Sequence, residues 1–153
     1  MARTQELRPG VYVIGTDNWR LNSGLVLGTQ RALVVDTGAG PRQGGEILAA
    51  VREITDLPLT VVNTHAHYDH FMGNAVFARA GATEFWAHKA CASAMAEVGE
   101  YQRSFVSTQE PEMGAGEGID TRLVLPTNTL PGTGLRPSLT RIDLGERPVT
   151  LFF

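Results

Sequence analysis

The stretch V-V-N-T-H-A-H-Y-D-H-F-M-G-N, Val61 to Asn74, holds three of the chain's four histidines within six consecutive residues. His65, His67, Asp69 and His70 spell H-x-H-x-D-H. Imidazole nitrogen with carboxylate oxygen is a donor set that suits zinc, and also iron or manganese. In an extended segment residues two apart point the same way, so His65 and His67 can reach one ion together. If the chain then bends into a helix, Asp69 and His70 turn toward a neighbouring position, and paired metal ions in hydrolases stand about 3.5–4 Å apart. Asp69 is also the candidate catalytic residue, placed to ligate one ion and to orient a nucleophile. Read instead as exposed loop residues or helix-cap partners, this grouping has no chemical reason.

The cluster begins where an apolar run, L-T-V-V-N, ends. Ligand sites in α/β sheets gather at the carboxyl ends of strands. Asp36 ends the preceding run, A-L-V-V-D, and with Thr64 is a candidate hydrogen-bond partner that holds ligating imidazoles in register.

The elements that must position these residues follow from the pattern. G-V-Y-V-I-G (10–15), N-S-G-L-V-L-G (22–28) and Ala32 to Val35 read as three strands of an antiparallel meander. Ile47, Leu48, Val51 and Ile54 recur at helical spacing. L-T-V-V-N is apolar throughout, which predicts a strand buried on both faces. F-M-G-N-A-V-F-A-R-A-G predicts one helix stopping at Gly81, A-T-E-F-W-A-H a strand, and residues 89–106 a helix weakened at Gly99. The alternation places the chain in the α/β class as a single domain, residues 1–153. Residues 107–138 are rich in Gly, Pro and Thr and are expected to be irregular, either a lid or disordered. L-T-R-I-D-L-G-E-R-P-V-T-L-F-F predicts two strands around a G-E-R-P turn.

Composition excludes several function classes. With 42% hydrophobic and 19% charged residues the chain can build one core. A net charge of -3 without a basic patch argues against nucleic-acid or membrane partners. The single cysteine rules out a disulfide framework. No apolar run approaches the roughly 20 residues of a membrane span, and the first ten residues lack a signal-like apolar stretch. A cytoplasmic protein acting on a small-molecule substrate is the expectation.

T-H-A-H-Y-D-H-F-M-G-N, with A-L-V-V-D-T-G upstream, resembles the signature of the metallo-β-lactamase-fold hydrolase superfamily over roughly Val11 to Val106. The resemblance implies an αββα sandwich of two similar halves with a metal site in the cleft between them. His65 and His67 would bind the first metal, Asp69 and His70 the second, with two zinc ions expected. The activity implied is hydrolysis of an ester, thioester, lactone or β-lactam by a metal-bound hydroxide. Glyoxalase II-type thioesterases continue D-H-x-G-G-N, and here Met72 replaces the first of those glycines. Family members complete the site with two further histidines and a bridging aspartate in the second half, whereas no histidine follows His88 in this chain. It is therefore expected to be the N-terminal half plus the start of the second, inactive alone. The alternatives are an inactive zinc-binding or interaction module, or half of a split enzyme completed by a homodimer mate or a complementing C-terminal half. His88 reads as a helix-start residue, Cys91 as a buried hydrophobe, and Trp19 and Trp86 as packing residues, Trp19 in a loop of the kind that faces substrate in the hydrolases this chain resembles.

Overall fold

The computed structural model describes residues 1–152. Its strands are β1 Arg3–Arg8, β2 Val11–Gly15, β3 Asn22–Leu27, β4 Ala32–Val35, β5 Leu59–Val62, β6 Glu84–His88, β7 Asn128–Leu130, β8 Leu139–Asp143 and β9 Pro148–Phe152. Its helices are α1 Pro41–Ile54, α2 Tyr68–Phe71, α3 Asn74–Arg79, α4 Lys89–Val106 and α5 Pro111–Ala115. β1 to β7 lie side by side in sequence order, and β8 with β9 forms a separate hairpin. β1 to β4 are antiparallel, with β2 to β4 forming the predicted three-strand meander, and β4 to β7 are parallel.

Strand alternation explains why β4 is apolar throughout and β5 is apolar but for the buried Thr60. Ala32, Val34, Leu59 and Val61 face α1 and α3, where they meet Ile47, Val51, Val76 and Phe77. Leu33, Val35 and Val62 face the other way and pack with Trp86, Ile142, Leu144, Val149 and Leu151, so the hairpin covers that side. The turn of the hairpin is bonded to the β3–β4 loop, because the Leu144 carbonyl accepts from the N–H groups of Gln30 at 3.0 Å and Arg31 at 3.1 Å. A Cβ at Gly28 would overlap that same carbonyl. Helices on one face and a second sheet on the other give the layered α/β arrangement of a partial αββα sandwich.

Three local expectations change. β1, R-T-Q-E-L-R, was not foreseen, because all six side chains are exposed and it has no apolar alternation. The helix expected through F-M-G-N-A-V-F-A is two helices. The chain breaks at Met72 and Gly73, where Gly73 donates its N–H to the Gly38 carbonyl at 2.8 Å and lies so close to the Thr37 carbonyl that a Cβ would overlap it. The stretch 107–138, read as irregular, contains α5, a 3-10 turn at Ile119–Thr121 and β7. These pieces are too short to show a period and are held by tertiary bonds, such as the Arg79–Asp120 ion pair and Thr127 to the Phe85 N–H.

Candidate metal centre

The site starts from a strained turn. Asp36 follows β4 with φ 61, in the left-handed region that aspartate tolerates better than most residues. Its N–H bonds the Val62 carbonyl at 2.9 Å, which ties the turn to the end of β5. The carboxylate, buried at 3% exposure, then faces the next strand's exit. Oδ1 accepts the Thr64 N–H at 2.8 Å, and Oδ2 accepts the Thr64 hydroxyl at 2.7 Å. Oδ2 also lies 2.8 Å from Nδ1 of His70.

These bonds assign the tautomers. The Thr64 hydroxyl has given its proton to Asp36, so at 3.0 Å it can only accept from Nδ1 of His65. That leaves the lone pair of His65 on Nε2, which stands 3.0 Å from Nδ1 of His67. Two imidazole nitrogens on one tetrahedral zinc at about 2.0–2.1 Å stand roughly 3.3 Å apart, close to what this pair presents. His70 donates through Nδ1 to Asp36, which turns Nε2 toward Oδ2 of Asp69, 3.6 Å away. The His65 and His70 rings pack with centroids 4.0 Å apart. The donor chemistry thus fits a metal at each pair. Each pair offers two donors, and among the described residues no three His, Cys, Asp or Glu side chains form one ligand group.

The two imidazoles are shifted in opposite directions. Burial, followed by the neighbouring His70 and His67, holds the His65 imidazole below its ordinary pKa and so favours its neutral form. Burial also penalises the charged form of His70. The hydrogen bond and charge of Asp36, with Asp69 behind, outweigh it and hold His70 above the ordinary value.

The backbone of the motif is fixed from below. Asn63 and Asn74 exchange carboxamide bonds at 2.8 and 3.1 Å, and Asn63 also donates to the His70 carbonyl at 3.0 Å. Thr37 donates its hydroxyl to Asn74 at 2.7 Å. An apolar groove of about 330 Å³ opens beside Thr64, between the main sheet and the hairpin, with Val35, Val62, Leu130 and Val149 among its walls.

The other singled-out residues lie outside this centre. His88 caps α4, with Nδ1 accepting the Ala90 N–H at 3.1 Å and Nε2 at 3.0 Å from the Gly132 carbonyl. Cys91 is buried, and burial pushes its thiol up to about 11. Trp19 packs edge-on against Tyr68, and Trp86 packs under the hairpin.

A family model described as the metallo-beta-lactamase superfamily matches residues 17–143. The chain belongs to that superfamily. Solved structures agree on the fold. A metallo-beta-lactamase from Pontibacter korlensis superposes with a TM-score of 0.68 at 17% identity, over 100% of this chain and 60% of its own. A Cronobacter sakazakii metallo-beta-lactamase with a HARLDQ motif gives 0.64 at 23% identity, over 94% and 51%. One from Hirschia baltica gives 0.55 at 18% identity, over 93% and 56%. This superfamily member therefore spans about half to three-fifths of the length of those structures. No curated protein sequence matches it. No helix among the described residues is long and apolar enough to cross a membrane.

Sequence reading missed two side chains that hold the site's surroundings. Gln102 lies on the buried stripe of α4 with Cys91, Met95, Gly99 and Val106, and a polar residue on such a stripe was the available signal. Glu110 caps α1 from 67 residues away and gave no local signal at all.

Proposed function

We propose that the chain is the ligand-bearing part of a metal-dependent hydrolase. His65 and His67 hold one ion and Asp69 and His70 a second, and zinc suits this donor set best, with iron or manganese as substitutes. The observation that carries the reading is the orientation of the imidazoles. Asp36 accepts the Nδ1–H of His70, and the Thr64 hydroxyl, itself bonded to Asp36, accepts the Nδ1–H of His65, so that each Nε2 is directed away from these partners. Zinc, when bound, supplies Lewis acidity that lowers the pKa of water to near 7 and polarises a carbonyl. Asp69 orients the attacking water beside His70. The apolar groove beside Thr64 accepts the non-reacting part of an ester, thioester, lactone or β-lactam substrate.

The Cronobacter sakazakii relative's HARLDQ has arginine and glutamine at the third and sixth places, where H-A-H-Y-D-H has histidines. That gives this chain two imidazoles that the other motif lacks. Catalytic zinc usually takes three protein ligands, and each pair here gives two. Full activity therefore belongs to an assembly in which a complementing segment or a homodimer mate adds donors. A single, buried cysteine suits a reducing, cytoplasmic setting.

The test is a hydrolysis panel over the four substrate classes, run on the zinc-loaded protein in its native assembly. At least one class should be turned over, and His65→Ala and Asp69→Asn should each abolish that turnover. Turnover that survives chelation and both substitutions would sink the proposal. Zinc binding without turnover in any assembly would point to a non-catalytic zinc module.

A further inference from the structure

The residue that holds the metal motif from the outside is Gln102. It is 6% exposed, and its carboxamide is spent wholly on the backbone of the motif. Oε1 accepts the Tyr68 N–H at 2.7 Å, and Nε2 donates to the Ala66 carbonyl at 2.8 Å. Those two peptide groups flank His67. Burying a carboxamide is unfavourable unless it is bonded, and both of its ends are bonded here to the same three-residue segment.

His67 needs such a hold. Its side chain is exposed, and its ring meets the site through the 3.0 Å approach to His65. The helix it opens, α2, has four residues, far too few to be stable by itself. α4, which carries Gln102, has 18 residues and packs by Cys91, Met95 and Val106 into the core. The clamp therefore transfers the rigidity of a long buried helix to the backbone on either side of one ligand.

Resting on the metal-site reading above, we infer that Gln102 is a positioning residue for His67. By gripping Ala66 and Tyr68 it sets where the His67 imidazole stands relative to His65, and so sets the affinity of the first metal position.

The test measures zinc affinity of the intact chain by competition with a chromophoric chelator, alongside urea unfolding of the metal-free protein. Gln102→Met keeps the length and removes both bonds, and Glu97→Gln, exposed on the same helix, is the control. Folded Gln102→Met should bind zinc about 10- to 100-fold more weakly, the usual effect of losing a partner behind a ligand, while Glu97→Gln matches wild type. In a His67→Ala background, Gln102→Met should cause no further loss, because the ligand it positions is gone. A purely structural role would lower urea stability while leaving affinity unmoved, or give losses that add in the double variant. Either result overturns the inference. If Gln102→Met does not fold, Gln102→Glu, which keeps the acceptor and loses the donor to Ala66, is read against the same two outcomes. Failure of the wild-type chain to bind zinc would sink the metal reading and this inference with it. Undiminished binding by a folded Gln102 variant sinks this inference alone.

Discussion

Oδ2 of Asp36 lies 2.8 Å from Nδ1 of His70, across 34 residues of sequence and between the exits of two neighbouring strands. The same oxygen takes the hydroxyl proton of Thr64, so one buried carboxylate sets the orientation of two imidazoles. Asp36→Asn replaces one acceptor oxygen with a donor. It cannot satisfy the Thr64 N–H, the Thr64 hydroxyl and the His70 Nδ1–H in their present arrangement. We expect zinc affinity to drop about 10- to 100-fold, with His70 no longer held above its ordinary pKa. Chelator competition reads the first, and NMR titration of the metal-free His70 ring reads the second.

Zinc should also stabilise the folded chain. A ligand that binds only the native state adds about 2.7 kcal/mol at a hundred times its Kd. Urea unfolding with and without zinc should show a gain of this kind for wild type. His65→Ala and His67→Ala should reduce it, since each leaves one donor of a pair whose nitrogens stand 3.0 Å apart. A gain that persists in a variant lacking His65, His67 and His70 would mean that zinc binds elsewhere.

The third expectation concerns the approach of three backbones. A Cβ at Gly73 would overlap the Thr37 carbonyl, and the Gly73 Cα is itself 3.1 Å from where a Cβ at Gly44 would sit. Neither glycine has a left-handed φ, so the demand is for space alone. Gly73→Ala must push α3 away from the loop that carries Asp36. A cost of about 1–3 kcal/mol, or more, is expected, with weaker zinc binding as His70 moves from Asp36. Urea unfolding and zinc titration of the same variant check both.

What the sequence made legible was local. His65, His67, Asp69 and His70 sit within six residues at a strand end, so H-x-H-x-D-H singles them out as candidate donors without any tertiary information. Asp36 and Thr64 were readable because each closes or follows an apolar strand, and parallel neighbours bring such exits together. The hairpin turn at Leu144 to Arg147 was visible in G-E-R-P. The break between α2 and α3 was not, because it is imposed by contact of Gly73 with a loop 36 residues earlier, although Gly73 keeps a negative φ. β1 and β7 were hidden for a related reason. A polar edge strand and a three-residue strand are defined by their neighbours' open backbone groups, and such partners leave no period in the strand itself.

Glu110 gives the last expectation, and it concerns pH. Its carboxyl, 1% exposed, accepts the N–H of Gln43 at 2.7 Å and of Arg42 at 2.9 Å, and so caps the start of α1. Burial pushes its pKa up. The two backbone donors and the Arg42 charge oppose that shift without cancelling it, and Glu46 adds to it. A carboxyl whose folded pKa lies above its unfolded value binds protons more tightly in the native state. Its contribution is therefore fully present below the unfolded pKa and is lost as pH rises through the folded one. Glu110→Gln removes this titration and, at neutral pH, leaves one of the two N–H donors facing an amide N–H₂. The gap in stability between wild type and Glu110→Gln should accordingly shrink as pH rises from about 4 through the carboxyl's raised pKa. Glu110→Ala leaves both helix N–H groups unmet and should be less stable by about 1–3 kcal/mol throughout. Urea unfolding at several pH values between about 4 and 8 measures both differences. A gap between wild type and Glu110→Gln that widens with pH would mean that the two N–H donors, and not burial, set the charge of this carboxylate.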